Sequence, residues 1–113
     1  MRWVLRSKIH QATVTASDVD YIGSLQVDQD LIERAGFWPG EKVLVVSISS
    51  GARLETYLIP GERGSGIIGV NGAAARLILA GEKIIVMGFE LSDEPIEAQI
   101  VLVDQDNRFV RFL

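Results

Sequence analysis

The chain contains no cysteine. That excludes disulfides, thiolate nucleophiles and cysteine-based metal centres, and it fits a reducing compartment. No stretch approaches the roughly 18–20 consecutive apolar residues that span a bilayer, and Met1–Lys8 has no apolar core long enough for a secretory signal. The expectation is a cytoplasmic protein without a membrane partner. Positive charge is also scarce. Eleven Lys and Arg stand against fifteen Asp and Glu, a net charge of −4, and the basic residues are scattered rather than gathered in a stripe, which argues against a nucleic-acid partner. Glu62-Arg63-Gly64-Ser65-Gly66 lacks the Gly-Lys-Ser/Thr ending of a phosphate loop and precedes a strand, so no nucleotide site is expected. Asp28-Gln29-Asp30 and Asp104-Gln105-Asp106 lack calcium-loop spacing and read as solvated turn carboxylates; no metal is expected.

At 113 residues the chain is long enough for one domain, residues 1–113, able to bury roughly 60–70% of its unfolded surface. An apolar content of 48% and a mean hydropathy of +0.24 are high for a small monomer, and oligomerisation would bury the surplus. Short apolar and β-branched runs separated by turn residues predict strands at Trp3–His10, Val43–Ile48, Arg53–Ile59, Ile67–Val70, Ile84–Phe89, Ile100–Val103 and Phe109–Phe112. The segment beyond Asp104 reads as mobile or as a last edge strand. Two short helices are expected. One covers Leu31–Ala35, with Asp30 as N-cap, Glu33 three residues on and Gly36 closing it; the other covers Ala73–Leu79 after an Asn71-Gly72 turn.

Each helical segment precedes a Gly-Glu-Lys turn and an apolar run, Gly40–Val46 in one case and Gly81–Met87 in the other. A unit of helix, turn and buried strand that occurs twice suits a closed barrel whose halves are related by a pseudo-twofold axis. The predicted fold is therefore mainly β.

Some residues have chemistry of their own. Lys8 and His10 share a strand face, which fits either a cationic patch beside a titratable imidazole or an ordinary solvated lysine and a hydrogen-bonded histidine. Arg53 and Tyr57 also share a face, one a fork matched to carboxylates and the other a phenol able to donate a proton; a surface arginine and a half-buried tyrosine would look the same. Thr56 falls on the opposite face of a regular strand, so its service in the same site requires a bulge or twist. In Tyr21-Ile22-Gly23-Ser24, serine could attack the preceding carbonyl only from a strained peptide, and glycine can enter backbone regions closed to other residues.

Taken in order, Lys8-Ile9-His10, Tyr21–Ser24, Asp28–Leu31, Arg53–Tyr57, Glu62–Gly66 and Val70–Ala75 resemble the pyruvoyl-dependent aspartate decarboxylases, over about residues 1 to 103. The resemblance implies a double-psi β-barrel and a homotetramer with active sites between subunits. It implies a proenzyme that cleaves itself between Gly23 and Ser24 into a 1–23 β chain and a 24–113 α chain, whose covalent pyruvoyl cofactor derives from Ser24. Thr56 would then polarise the Gly23 carbonyl during maturation. In turnover of L-aspartate to β-alanine and CO2, for pantothenate and coenzyme A biosynthesis, the pyruvoyl carbonyl would form a Schiff base with the substrate and act as electron sink. Tyr57 would be the proton donor. Arg53, Lys8, His10 and Tyr21 would bind substrate, and Asn71, Gly72, Ala73 and Ala74 would line the pocket. Val46 stands where some relatives carry a large aromatic, which would alter pocket volume, and the short segment after the barrel leaves no long tail to form a lid. A helper protein for maturation is compatible with this reading. A non-catalytic double-psi barrel serving binding or assembly is the alternative, and it would have no need of Gly23-Ser24 beside Thr56 and Arg53.

Overall fold

In the computed structural model, which describes residues 1–113, nine strands run in the order β1 (Arg2–Thr13), β2 (Ala16–Asp18), β3 (Leu25–Asp28), β4 (Lys42–Ser47), β5 (Arg53–Gly61), β6 (Ile68–Asn71), β7 (Lys83–Ser92), β8 (Gln99–Val103) and β9 (Phe109–Phe112). Helix α1 (Gln29–Ala35) joins β3 to β4, and a 3-10 turn, Gly72–Arg76, follows β6. The strand order is β2-β6-β3-β5-β4-β7-β1-β8-β9. Most neighbours are antiparallel, but β1 with β8, β2 with β6, and β3 with β5 run parallel.

The period-two pattern builds the core. Along β4 and the first half of β7, every second side chain is buried, so each strand turns one face inward. Val43, Val45, Ile84 and Val86 from these strands meet Ile9, Leu25, Leu58 and Ile68, all at most 1% exposed. Full burial of such side chains is worth about 1.5–3 kcal/mol each before the entropy cost of ordering them. The repeat read from the sequence has a structural counterpart here. Val45 pairs directly with Val86, and these two occupy equivalent places in the two Gly-Glu-Lys units. A local two-fold axis therefore passes between them.

The predicted strands all form, with ends shifted by a few residues, and the segment after Asp104 pairs as an edge strand, β9 against β8. Asn107, 1% exposed, ties that segment down: its Nδ2 donates to the carbonyls of Thr13 and Gly66, and its Oδ1 accepts from the Thr13 amide. β2 and β3 were not legible, because three and four residues carry too little alternation to stand out.

The helices differ from expectation too. The N-cap of α1 is Asp28, two residues earlier than Asp30, and Gly36 closes the helix in the left-handed conformation at φ 76°. Glu33 does not complete a capping box. It receives a two-pronged contact from the Arg63 guanidinium at 2.7 and 2.8 Å, which holds its carboxyl down at about 2. The predicted Ala73–Leu79 helix is the shorter 3-10 turn.

Asp28 is also not a solvated turn residue. Its side chain is buried and accepts from three amides: Oδ1 from Asp30 at 2.9 Å and Gly64 at 3.0 Å, and Oδ2 from Gly66 at 2.9 Å. One carboxylate thus fixes both the start of α1 and the loop before β6. Asp28→Ala would leave these amides without their acceptor, and we expect it to lower unfolding free energy by about 3 kcal/mol, read from urea denaturation. A loss below about 1 kcal/mol would contradict that role.

Candidate active site

β3 enters the sheet between β5 and β6. Leu25 pairs with Leu58 on one side and Val70 on the other. Ser24 and Gly23 precede the paired residues, and the cleft they line also takes in Thr56, Tyr57, Asn71 and Gly72. The Asn71 amide donates to the Ser24 carbonyl at 2.8 Å, which holds the serine against β6. Gly23, at φ +114°, lies where side-chain-bearing residues are strained, and a Cβ there would stand 3.0 Å from Ile59 Cδ1. The bond joining Gly23 to Ser24 is thus the place where the chain leaves a glycine-only conformation and enters the sheet.

β5 changes partner along its length. Arg53–Tyr57 pair with β4, whereas Leu58–Gly61 pair with β3. Over Leu54–Tyr57 the second edge of β5 has no strand against it, and a cleft of about 410 Å³ opens there. Its walls include Gly23, Ser24, Thr56, Tyr57, Asn71, Gly72, Ala73 and Ala74, along with Leu54, Glu55 and Leu77. Of the bulge or twist that Thr56 was expected to need, the bulge is absent, because the pairing of β5 with β4 runs from Arg53 to Tyr57 without a shift. None is needed. The cleft wraps the free strand edge, so residues of both faces reach it.

The cleft has hydrogen-bonding capacity to spare. Asn71 is 5% exposed, and its Nδ2 is buried without a partner. A buried unsatisfied donor carries a desolvation cost of about 1–3 kcal/mol unless something accepts from it. Tyr57 is 44% exposed at the mouth.

The remaining sequence-selected residues lie elsewhere in the single chain. Arg53 pairs across β4 with Val46, which pairs with Ile85 on β7, while Lys8 pairs with Met87 and His10 with Leu102. β5 and β1 are thus three strand spacings apart, on the order of 14 Å, with β4 and β7 between them. None of Arg53, Lys8 and His10 lines the cleft, and neither does Val46, which is half-buried within β4. Tyr21 is exposed and also outside it, though its carbonyl lies 3.7 Å from where a Cβ on Gly72 would stand. Of the lining residues not singled out, Glu55 was legible, since alternation puts it on the face of Arg53 and Tyr57. Leu54 and Leu77 carried no signal apart from ordinary core leucines.

The model of the aspartate decarboxylase family matches residues 1–110. The chain belongs to the aspartate decarboxylase family. Aspartate 1-decarboxylase of Carboxydothermus hydrogenoformans is 48% identical over 112 residues, covering 96% of this chain and 88% of that protein. Among solved structures, the computationally designed msDPBB_sym2 protein aligns with a TM-score of 0.47 at 15% identity, over 76% of this chain and 98% of that one. The fold rests on the strand pairing and not on that likeness: it is mainly β, with the β1/β8 and β3/β5 pairs running parallel about a local two-fold axis.

In this family member His10 has a telling environment. Its Nδ1 is buried without a partner, and its pKa is lowered, first by burial and then by the Lys8 ammonium. Folding therefore favours the neutral ring. As pH falls from the ordinary value of 6.5 toward the lowered folded value, the unfolded chain takes up a proton that the folded chain does not, and stability declines. An NMR titration should place His10 below 6.5, and Lys8→Met should move it part of the way back. A midpoint at or above 6.5 would contradict this electrostatic account.

Proposed function

We propose that the chain is a pyruvoyl-dependent aspartate 1-decarboxylase that converts L-aspartate to β-alanine and CO2, the β-alanine going to pantothenate and coenzyme A, after cleaving itself between Gly23 and Ser24. The observation that supports the proposal is the cleft that gathers Gly23, Ser24, Thr56, Tyr57, Asn71 and Gly72, with Gly23 in a glycine-only conformation. The named relative, 48% identical, supports the substrate.

Maturation follows from this placement. Ser24 Oγ attacks the Gly23 carbonyl and displaces the Ser24 nitrogen, giving an ester. Loss of the Cα proton then expels the Gly23 carboxylate, and water replaces the freed nitrogen as ammonia, leaving a pyruvoyl group on the 24–113 chain. Thr56, which lines the same cleft as Gly23, would hydrogen-bond the carbonyl under attack. The residues present fit the group: the orphaned Asn71 Nδ2 can donate to its oxygen, and Gly72, Ala73 and Ala74 give small walls around it.

A pyruvoyl carbonyl supplies the electron sink that decarboxylation of an α-amino acid needs. The side chains do the rest. Tyr57 Oη holds a proton at the cleft mouth for delivery to Cα once CO2 has left. Arg53 and Lys8 provide the positive charge that meets carboxylates, with the neutral His10 ring beside Lys8; because Lys8 and His10 lie on β1, three strand spacings from β5, a neighbouring copy supplies them. A homotetramer with shared sites, as the resemblance implies, fits both this separation and the apolar side chains exposed along the strands, among them Trp3, Phe89 and Leu91. Charge-assisted bidentate pairing makes Arg53 the substrate anchor.

Thr56 and Tyr57 are neighbours with different duties, so their variants fail at different stages. Thr56→Ala should accumulate uncut chain. Tyr57→Phe should cut itself normally and lose about 10²- to 10⁴-fold in kcat for β-alanine formation. Fragment analysis beside the β-alanine assay reads both, and wild-type turnover by Tyr57→Phe would remove it as proton donor.

A further inference from the structure

Glu55 stands on the ridge between two depressions. It lines the Ser24 cleft and also a neighbouring groove of about 780 Å³, whose walls include Trp3, Trp38 and Phe89. On β5 it lies between Arg53 and Tyr57 on the same face, two residues from each, which is about 7 Å along the strand. A carboxylate so close to the cleft would repel an anionic substrate.

It has one ionic partner. Lys42, across the β4–β5 pair from Tyr57, reaches diagonally with Nζ to Glu55 Oε2 at 2.7 Å. Lys42 lines the groove and not the cleft. The pair therefore draws the Glu55 carboxylate to the groove side of the ridge. In the single chain both side chains are well exposed, 76% for Lys42 and 62% for Glu55, and such a pair adds little to its stability. Its consequence is electrostatic.

We propose that Lys42 is a positioning residue that neutralises Glu55 and draws it off the cleft mouth, and so lets a dicarboxylate enter. The idea rests on the aspartate decarboxylase reading, and it adds a determinant of substrate affinity outside the cleft. With Lys42 gone, Glu55 is free to turn toward the cleft with its charge uncompensated. A charge several ångströms from a bound carboxylate at a protein surface shifts affinity by about 3- to 10-fold at low salt, and the effect fades as the Debye length shrinks to about 3 Å at 1 M.

The test uses the full chain in four forms: wild type, Lys42→Met, Lys42→Arg, and the double variant Lys42→Met with Glu55→Gln. Lys42→Met should raise KM for aspartate about 3- to 10-fold at low salt, with kcat within about twofold of wild type. Lys42→Arg and the double variant should return KM to near the wild-type value, and 1 M salt should erase the difference. An unchanged KM in Lys42→Met, or a double variant that keeps the raised KM, overturns the proposal. Calorimetric binding of succinate separates this from the activity. If the wild type turns over no aspartate but binds succinate more tightly than Lys42→Met does, the functional reading falls and the charge proposal stands. Equal succinate affinities, or no succinate binding by either, overturn it.

Discussion

The site depends on a single constraint, the point at which β3 begins. β5 can pair with only one strand along each edge at a time, and β3 occupies its second edge only from Leu58 onward. Before that point the edge is open, and the chain feeding β3 must arrive through Gly23-Ser24. Were β3 to extend two residues further back, Thr56 and Tyr57 would be covered and would lie in an ordinary sheet. The positive φ of Gly23 prevents this, because the backbone there cannot continue as a strand. The cleft and the glycine-only turn of the backbone thus have one origin.

That origin is held in place from the other end of β3. Asp28 ends the strand, caps α1 and clasps Gly64 and Gly66, so the four-residue strand is fixed at its C-terminal end by a buried carboxylate while the Asn71 amide holds the Ser24 carbonyl at its start. A strand of this length has little pairing energy of its own. Its register is imposed by these contacts, and the register decides which side chains meet Gly23-Ser24.

This explains what could be read from the sequence. The long strands were legible because β4 and β7 alternate buried and half-exposed residues for several turns of the pleat, and the Gly-Glu-Lys repeat announced the two-fold relation that Val45 and Val86 make physical. That Thr56, Tyr57 and Asn71 line one cleft was legible through the family resemblance rather than through periodicity, which argued against placing Thr56 with Tyr57. The strand that joins them, β3, was not legible, since Leu25 and Val27 are its only alternating apolar pair and Asp28 already serves the helix. Asp28 itself was misread because a buried carboxylate with three amide donors looks, in sequence, like any turn aspartate. Arg53, Lys8 and His10 do not line the cleft of their own chain, and nothing in the alternation of β1 or β5 marks that.

The most direct measurement is the intact mass, under denaturing conditions, of the purified wild-type protein. A Gly23-Ser24 bond that shares a cleft with Thr56 and Asn71 predicts two species, a 1–23 fragment with an ordinary carboxyl end and a 24–113 fragment whose N-terminus is a pyruvoyl group and resists Edman degradation. A single species with the mass of the uncut 113-residue chain, persisting after prolonged incubation and in the presence of host-cell extract, would contradict the account.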